Sequence, residues 1–156
     1  MKKFRILLLI AIFLSVGATG CTSQNETEIN DENVMIQGED REMKINVIVN
    51  DITFTAFLEQ NEAVDALLDM MNEGPVTINM QDYAGFEKVG SLPTSLPTQD
   101  QRVTTQPGDI VLYQGNQIVM FYGTNSWSYT RLGHIDDLSG WQEALGNENV
   151  TTVLSL

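Results

Sequence analysis

Apolar and polar residues alternate twice in succession across residues 44–58. Before the Asn50-Asp51 pair, Ile45, Val47 and Val49 occupy every second position, and the residues after the pair repeat the pattern. Side chains at every second position of a β-strand share one face, whereas a helix needs a spacing of three to four residues. Asn-Asp is a turn sequence. This region therefore predicts a β-hairpin.

The rest of the sequence adds more short strands and two helices. Helical spacing follows Asn61, the expected N-cap, and stops at Gly74-Pro75, while residues 139–145 predict a short second helix with Ser139 and Gln142 spaced as a capping box. Further strands are predicted at residues 76–82, 86–90, around 102, 109–113, 117–122, 127–135 and 150–156. The set predicts a mainly β fold, a closed eight-stranded barrel with two capping α-helices. An open α+β sheet is the alternative.

The first 20 residues have the three-part pattern of a secretory signal. Lys2, Lys3 and Arg5 precede an apolar stretch, and Ala18-Thr19-Gly20 leads directly to Cys21, the one cysteine in the chain. This junction looks like a bacterial lipobox, in which a diacylglyceryl group is attached to the cysteine sulfur and the leader is removed. The apolar stretch is about half of the roughly 20 residues that a membrane-spanning helix needs. Residues 1–20 are therefore predicted to be a lipoprotein signal peptide.

Cys21 is then the lipidation site that holds the protein on the extracytoplasmic face of a bacterial cell membrane. Residues 21–42 are polar and acidic, with too few large apolar side chains to form a core, and predict a flexible lipidated tether. Residues 43–156 have the usual size of one domain. The sequence gives no prediction of the oligomeric state.

Acidic residues dominate the charge of the chain and exclude one class of partner. Removal of the leader leaves five basic against 21 acidic residues, a net charge of −16. Such a charge repels the phosphate backbone of nucleic acids, so no nucleic-acid binding is expected.

The sequence also lacks the motifs of several kinds of catalytic and cofactor-binding site. His134 is the only histidine and Cys21 is assigned to the anchor, so no zinc site is expected. The sequence has no Gly-x-Ser-x-Gly turn, no phosphate-binding glycine loop and no dinucleotide fingerprint. No metal or cofactor is predicted.

An ordered series of short segments resembles the bacterial cyclophilin-like family of small barrels. The segments are Asp82-Tyr83-Ala84-Gly85-Phe86-Glu87-Lys88, Leu92-Pro93, Pro107-Gly108-Asp109-Ile110, Met120-Phe121-Tyr122 and Arg131-Leu132-Gly133-His134-Ile135. The resemblance implies a cyclophilin-like β-barrel domain over residues 43–156 with an exposed cleft on one outer face. It also raises the activity of the cyclophilins, peptidyl-prolyl isomerisation.

The residues of this sequence depart from the cyclophilin pattern for that activity. Cyclophilins use the arginine of a Phe-His-Arg segment, and the comparable segment here is Phe86-Glu87-Lys88. Lysine is a point donor on a flexible stem and does not replace the planar fork of arginine. Arg102 and Arg131 remain as possible donors from other elements.

The sequence therefore favours a domain that binds a peptide or small ligand without strong catalysis. The candidate cleft residues are Tyr83, Glu87, Lys88, Tyr122, Trp127, Tyr129 and Arg131. One alternative is a prolyl isomerase or folding factor for exported proteins. A second is a scaffold that presents its acidic surface to a protein partner.

Replacement of the predicted lipidation site separates the anchor from the domain. We expect Cys21→Ser to move the protein from the membrane fraction to the soluble fraction, because the chains that hold it contribute about 0.8 kcal/mol for each buried methylene. The circular dichroism spectrum should not change, since Cys21 precedes the folded domain. A variant that stays in the membrane fraction would contradict the lipoprotein prediction.

Overall fold

A computed structural model describes residues 42–156, and this part of the chain is mainly β. Its strands are β1 Lys44–Val49, β2 Ile52–Leu58, β3 Val76–Tyr83, β4 Glu87–Ser91, β5 Gln101–Thr104, β6 Asp109–Tyr113, β7 Gln117–Phe121, β8 Ser126–Ile135 and β9 Val150–Ser155. Its helices are α1 Glu62–Glu73 and α2 Trp141–Leu145. The predicted signal peptide, Cys21 and nearly all of the predicted tether lie outside the described residues.

Eight of these strands form a closed ring. They hydrogen-bond in the order β2-β1-β9-β3-β4-β7-β6-β8, and antiparallel pairing of β2 with β8 completes the ring. The prediction of a closed eight-stranded barrel is confirmed, and the open sheet is excluded. The remaining strand, β5, pairs only with β8 in this part of the chain and lies outside the ring.

The β1–β2 hairpin shows how the alternation in the sequence builds the barrel. Ile45, Val47 and Val49 are buried in the core, while the residues between them are more exposed. The turn residues Asn50 and Asp51 have positive φ angles of 46° and 69°. Two consecutive residues with positive φ form a tight turn whose backbone twist matches the right-handed twist of the two paired strands. The hairpin prediction is confirmed.

The two helices bury one face each in the barrel core. Asn61 caps α1 as predicted, because its side-chain oxygen accepts the Val64 N–H at 3.0 Å. The predicted capping box of α2 is wrong. Gly140, in a left-handed conformation, occupies the N-cap of α2, and no side chain of residues 42–156 caps the helix. Ser139 therefore lies one residue too early for the predicted bond with Gln142.

One strand belongs both to the barrel and to a structure outside it. The second part of β8 pairs with β6 and β2, and residues 126–129 of β8 pair with β5. We call β5 together with residues 126–129 the β5–β8 ribbon. Val103 and Tyr129 of this ribbon pack with Val111 and Val119, which lie on the outer face of β6 and β7, in a second apolar cluster. This cluster holds the ribbon against the outside of the barrel.

The seam between β2 and β8 depends on a residue without a side chain. A Cβ on Gly133 would lie 2.2 Å from the carbonyl oxygen of Phe57 and 3.1 Å from the Cα of Leu58. We expect Gly133→Ala to lower the free energy of unfolding by about 2 kcal/mol or more, because backbone would have to move to make room. Urea denaturation measures the loss.

Ser128→Ala is the matched control for this measurement. Ser128 is exposed on the same strand, so we expect a change within about 0.5 kcal/mol. Equal effects of the two alanines would show that the close approach at Gly133 does not limit stability.

Candidate functional site

A cavity of about 570 Å³ opens on the outer face of the barrel. It lies beside the β5–β8 ribbon, and we call it the outer-face cleft. Its polar and aromatic lining consists of Asn79, Gln81, Asp82, Tyr83, Glu87, Ser91, Tyr113, Gln117, Asn125, Trp127 and Tyr129. The volume falls within the range of roughly 300–1,000 Å³ that is usual for ligand pockets.

Strand alternation places most of these side chains outside the barrel. On β3, Ile78 and Met80 are buried in the core, and Asn79, Gln81 and Tyr83 between and after them are exposed. The same alternation on neighbouring strands builds a continuous outer surface, because adjacent outward residues of paired strands lie side by side. Most of the cleft lining therefore comes from the face of the strands that the core leaves free, while Asp82 has the same parity on β3 as the core residues and pairs with the buried Lys88.

Glu87 is the buried carboxylate of the outer-face cleft. Its side chain is on the outer side of β4, yet the residue is only 5% exposed, and no group in the described part of the chain hydrogen-bonds its Oε2. Burial raises the pKa of Glu87 to about 7, and a hydrogen bond with the Asn125 side chain opposes this only in part. A buried oxygen without a partner is costly, so it marks a place where a ligand group could bind.

Lys88 points in the opposite direction, into the barrel, and is fully buried. Its Nζ donates to Asp82 Oδ1 at 2.8 Å and to the Glu148 carbonyl oxygen at 2.7 Å. The Tyr122 hydroxyl also donates to Asp82 Oδ1. A buried ammonium needs such partners, because an unpaired charge in the core would be strongly destabilising.

This ion pair determines the charges that remain in the cleft. The hydrogen bond from Lys88 lowers the pKa of Asp82, and the bond from Tyr122 adds to that effect. Burial, with the bond to Asp82, raises the pKa of Tyr122 to about 12. Asp82 is thus a compensated carboxylate, whereas no cation of residues 42–156 is within salt-bridge distance of Glu87.

Aromatic side chains form both the rim and the inner wall of the cleft. Tyr83 and Trp127 are 60% and 54% exposed, which is unusual for such large rings. Tyr129 is buried, and Asn125 Nδ2 donates to its hydroxyl at 3.0 Å. Burial raises the pKa of Tyr129, and the nearby charge of Glu87 raises it further. The carboxylate and the aromatic wall are therefore close enough to interact.

The sequence of residues 47–155 matches the model of a family described as the cyclophilin-like family. The chain belongs to the cyclophilin-like family. A solved structure with a similar fold is the solution structure of a hypothetical protein from Archaeoglobus fulgidus. It has a TM-score of 0.54 and 14% sequence identity over 73% of this chain and 94% of that chain. At this identity the likeness shows the fold alone. No curated protein matches this chain significantly.

The cyclophilin-like barrel brings four of the seven predicted cleft residues together, namely Tyr83, Glu87, Trp127 and Tyr129. The other three require correction. Lys88 and Tyr122 lie inside the barrel, because strand alternation and the bonds to Asp82 direct them inward. Arg131 lies further along β8, where its Nη1 is 3.9 Å from Asp109 Oδ2. None of these three lines the outer-face cleft.

The cyclophilin-like domain also contributes cleft residues that the sequence analysis missed. Asn79 and Gln81 alternate with Ile78 and Met80, so the period of two could have placed them on the outer face of β3. Asn125 lies in the segment between β7 and β8 and had no such signal. Its place beside Glu87 follows from the long-range pairing of strands.

Two further findings concern the cyclophilin-like domain as a whole. In residues 42–156, no helix is both long and apolar enough to cross a lipid bilayer. Across the same residues, no three or more His, Cys, Asp or Glu side chains come together in a group that could hold a metal ion.

Glu87→Gln should change stability in a way that depends on pH. The pKa of Glu87 is about 7 in the folded protein against an ordinary value of 4.5, so the folded state binds the proton more tightly. The contribution of Glu87 to the free energy of unfolding therefore falls as pH rises from about 4.5 to about 7. Because glutamine carries no charge, the variant should be more stable than the wild type at pH 8, by up to about 3 kcal/mol.

Thermal denaturation of both proteins at pH 4, 6 and 8 tests this expectation. The stability difference should grow with pH, and Glu143→Gln, which removes an exposed carboxylate of α2, should show no such growth. If Glu87→Gln shifts stability equally at pH 4 and pH 8, the carboxylate is not buried as described.

Proposed function

We propose that this protein is a membrane-anchored extracytoplasmic lipoprotein whose cyclophilin-like domain binds a peptide or small ligand in the outer-face cleft, without strong catalysis. The observation that carries the proposal is the cleft itself, a cavity of about 570 Å³ with aromatic walls and several amide side chains. Pockets of this kind combine apolar surface for affinity with a few polar groups for orientation.

The exposed rings at the rim support a binding role. Tyr83 and Trp127 present large apolar surfaces to solvent at the mouth of a cavity, although the domain has a core that buries similar side chains. Tyrosine and tryptophan give a large contact area with little loss of side-chain freedom, so they are common where proteins bind peptides and ligands.

The isomerase alternative lacks its main chemical requirement in this cleft. None of the residues that line the cavity is Lys or Arg. Lys88 is inside the barrel, and Arg102 pairs with Ser128, so it lies on the opposite face of the β5–β8 ribbon from Trp127. Lowering the barrier to prolyl rotation needs a strong donor at the amide, and the described cleft supplies only neutral donors.

The anchor places this binding activity near a membrane. Support for it is the pattern of residues 1–21, with a charged start, an apolar stretch and a small-residue junction before Cys21. A tether of about 20 residues has a random-coil reach of roughly 25 Å. Ligands would therefore be bound in the layer of solvent next to the membrane.

A binding screen monitored at the two tryptophans tests the proposal. Trp127 is half-exposed at the rim, whereas Trp141 is buried and donates to the Phe121 carbonyl oxygen. We expect at least one member of a panel of acidic, basic, neutral and proline-containing peptides and small molecules to shift the Trp127 indole signal of the full-length protein in NMR spectra. The Trp141 signal should stay in place.

Variants at exposed apolar residues decide whether the cleft is responsible. In isothermal titration calorimetry, which does not depend on the indole that this variant lacks, Trp127→Ala should weaken binding about tenfold or more. Ile52→Ala, at an exposed residue of β2, should leave the affinity unchanged. Full affinity in Trp127→Ala would overturn the proposal. If the affinity is the same in Trp127→Ala as in the wild type but is lost at high salt, the acidic scaffold is favoured instead.

A further inference from the structure

One carboxylate in the outer-face cleft has no cation among the described residues to compensate it. Its negative charge narrows the class of possible ligands more than the volume of the cavity does. Two carboxylates line the cleft, but Lys88 compensates Asp82 at 2.8 Å from inside the barrel. Among residues 42–156, no cation lies within salt-bridge distance of Glu87 and no group hydrogen-bonds its Oε2, and the residue is more than nine-tenths buried. The cleft therefore holds one carboxylate whose natural complement is a positive charge or a strong donor from outside.

The aromatic side chains that line the cleft also favour a positively charged ligand group. Cations are attracted to the faces of aromatic rings, and Trp and Tyr are the strongest attractors among protein side chains. Tyr83, Tyr113, Trp127 and Tyr129 all line the cavity with Glu87. Rings and a carboxylate together can hold a charged nitrogen and also cover the apolar carbons attached to it.

The net negative charge of the whole domain also favours a cationic ligand. Residues 42–156 contain 15 acidic and four basic residues. Lys88 is buried, and Arg131 and Lys44 each have an acidic neighbour within 4 Å. The negative field around such a domain draws cations toward it and slows the approach of anions.

We propose that the outer-face cleft selects ligands that carry an organic cation, an alkylammonium or guanidinium group, which pairs with Glu87 while its apolar part packs against the aromatic wall. This inference rests on the proposed binding function and names its ligand class. The cation can come from a Lys or Arg side chain of a peptide or from a free small amine, because both present the same group.

Proton linkage provides the sharpest signature of this pairing. A cation beside Glu87 favours the ionised carboxylate, so binding releases a proton and affinity rises with pH through the pKa of about 7. A ligand that offered a carbonyl or carboxylate to protonated Glu87 would show the opposite trend.

The other titratable groups at the cleft are Asp82 and Tyr83 from β3, Tyr113 from β6 and Tyr129 from β8, with Tyr122 behind them. The pKa of Asp82 is lowered by Lys88, and those of Tyr122 and Tyr129 are raised by burial. Asp82 therefore stays ionised, and Tyr122 and Tyr129 stay neutral, between pH 5.5 and 8. A Glu87→Gln control assigns any remaining dependence to Glu87.

The experiment compares matched ligands on the full-length protein, with Trp127 as the reporter. N-acetyl-arginine methylamide and its citrulline counterpart have nearly the same shape, but only the first is charged. At pH 8 and constant salt, the arginine compound should bind about tenfold or more tightly than the citrulline compound. Its affinity should rise about tenfold from pH 5.5 to pH 8.

Two variants with the same change in net charge separate the cleft from the general field. Glu87→Gln should reduce the preference for arginine over citrulline to less than about threefold and remove the pH dependence. Glu143→Gln, at an exposed residue of α2, should retain both. Equal losses in the two variants would mean that the acidic surface, not the cleft, attracts the cation, and would overturn the inference.

Two more ligands identify the source of the cation. Agmatine represents a free small amine, and a pentapeptide with a central arginine represents a peptide side chain. Tighter binding of the pentapeptide would assign the site to peptides, and equal or tighter binding of agmatine would assign it to small amines; both results support a cation site.

The failure of this inference differs from the failure of the proposed function. One outcome is that the citrulline compound binds as tightly as the arginine compound, shifts the Trp127 signal of the wild type and loses its calorimetric affinity in Trp127→Ala. The cleft then binds ligands but does not select cations. If no cationic probe binds, the inference is wrong, and the broader panel then decides the proposed function.

Discussion

The pairing of β2 with β8 determines where the outer-face cleft of this protein lies. This pairing closes the ring and thereby fixes an inside and an outside for every strand. Because β8 is ten residues long, it continues past its partners in the ring and carries β5 with it. The wall of the outer-face cleft is thus an extension of the strand that closes the barrel, and Gly133 allows the close contact on which the closure depends.

Two adjacent residues of β4 have opposite effects on the charge at the cleft. Lys88 enters the barrel and neutralises Asp82, and Glu87 stays outside with an oxygen that no described group satisfies. A buried ion pair adds little net stability, but removal of one partner is costly. The pair therefore holds Asp82 in a fixed position and charge state, while the pKa of Glu87, which burial raises to about 7, makes its charge depend on pH.

The sequence could predict local structure and the fold but only part of the site. The alternation of apolar and polar residues predicted the hairpins, because it shows which face of a strand is buried. The family resemblance supported the prediction of a closed barrel. The inward direction of Lys88 contradicts the usual expectation that lysine is exposed, and its bonds to Asp82 and to the Glu148 carbonyl oxygen make this burial possible. Asn125 joins Glu87 through contacts between distant segments, for which one sequence carries no signal.

The separation of core and cleft by strand alternation has an evolutionary consequence. On β3, core residues and cleft residues occupy alternate positions, so Asn79 or Gln81 can change while Ile78 and Met80 keep the barrel packed. Substitutions in the cleft lining then escape most of the destabilisation that core mutations cause. A barrel of this kind can keep its architecture through long divergence while the residues on its outer face change.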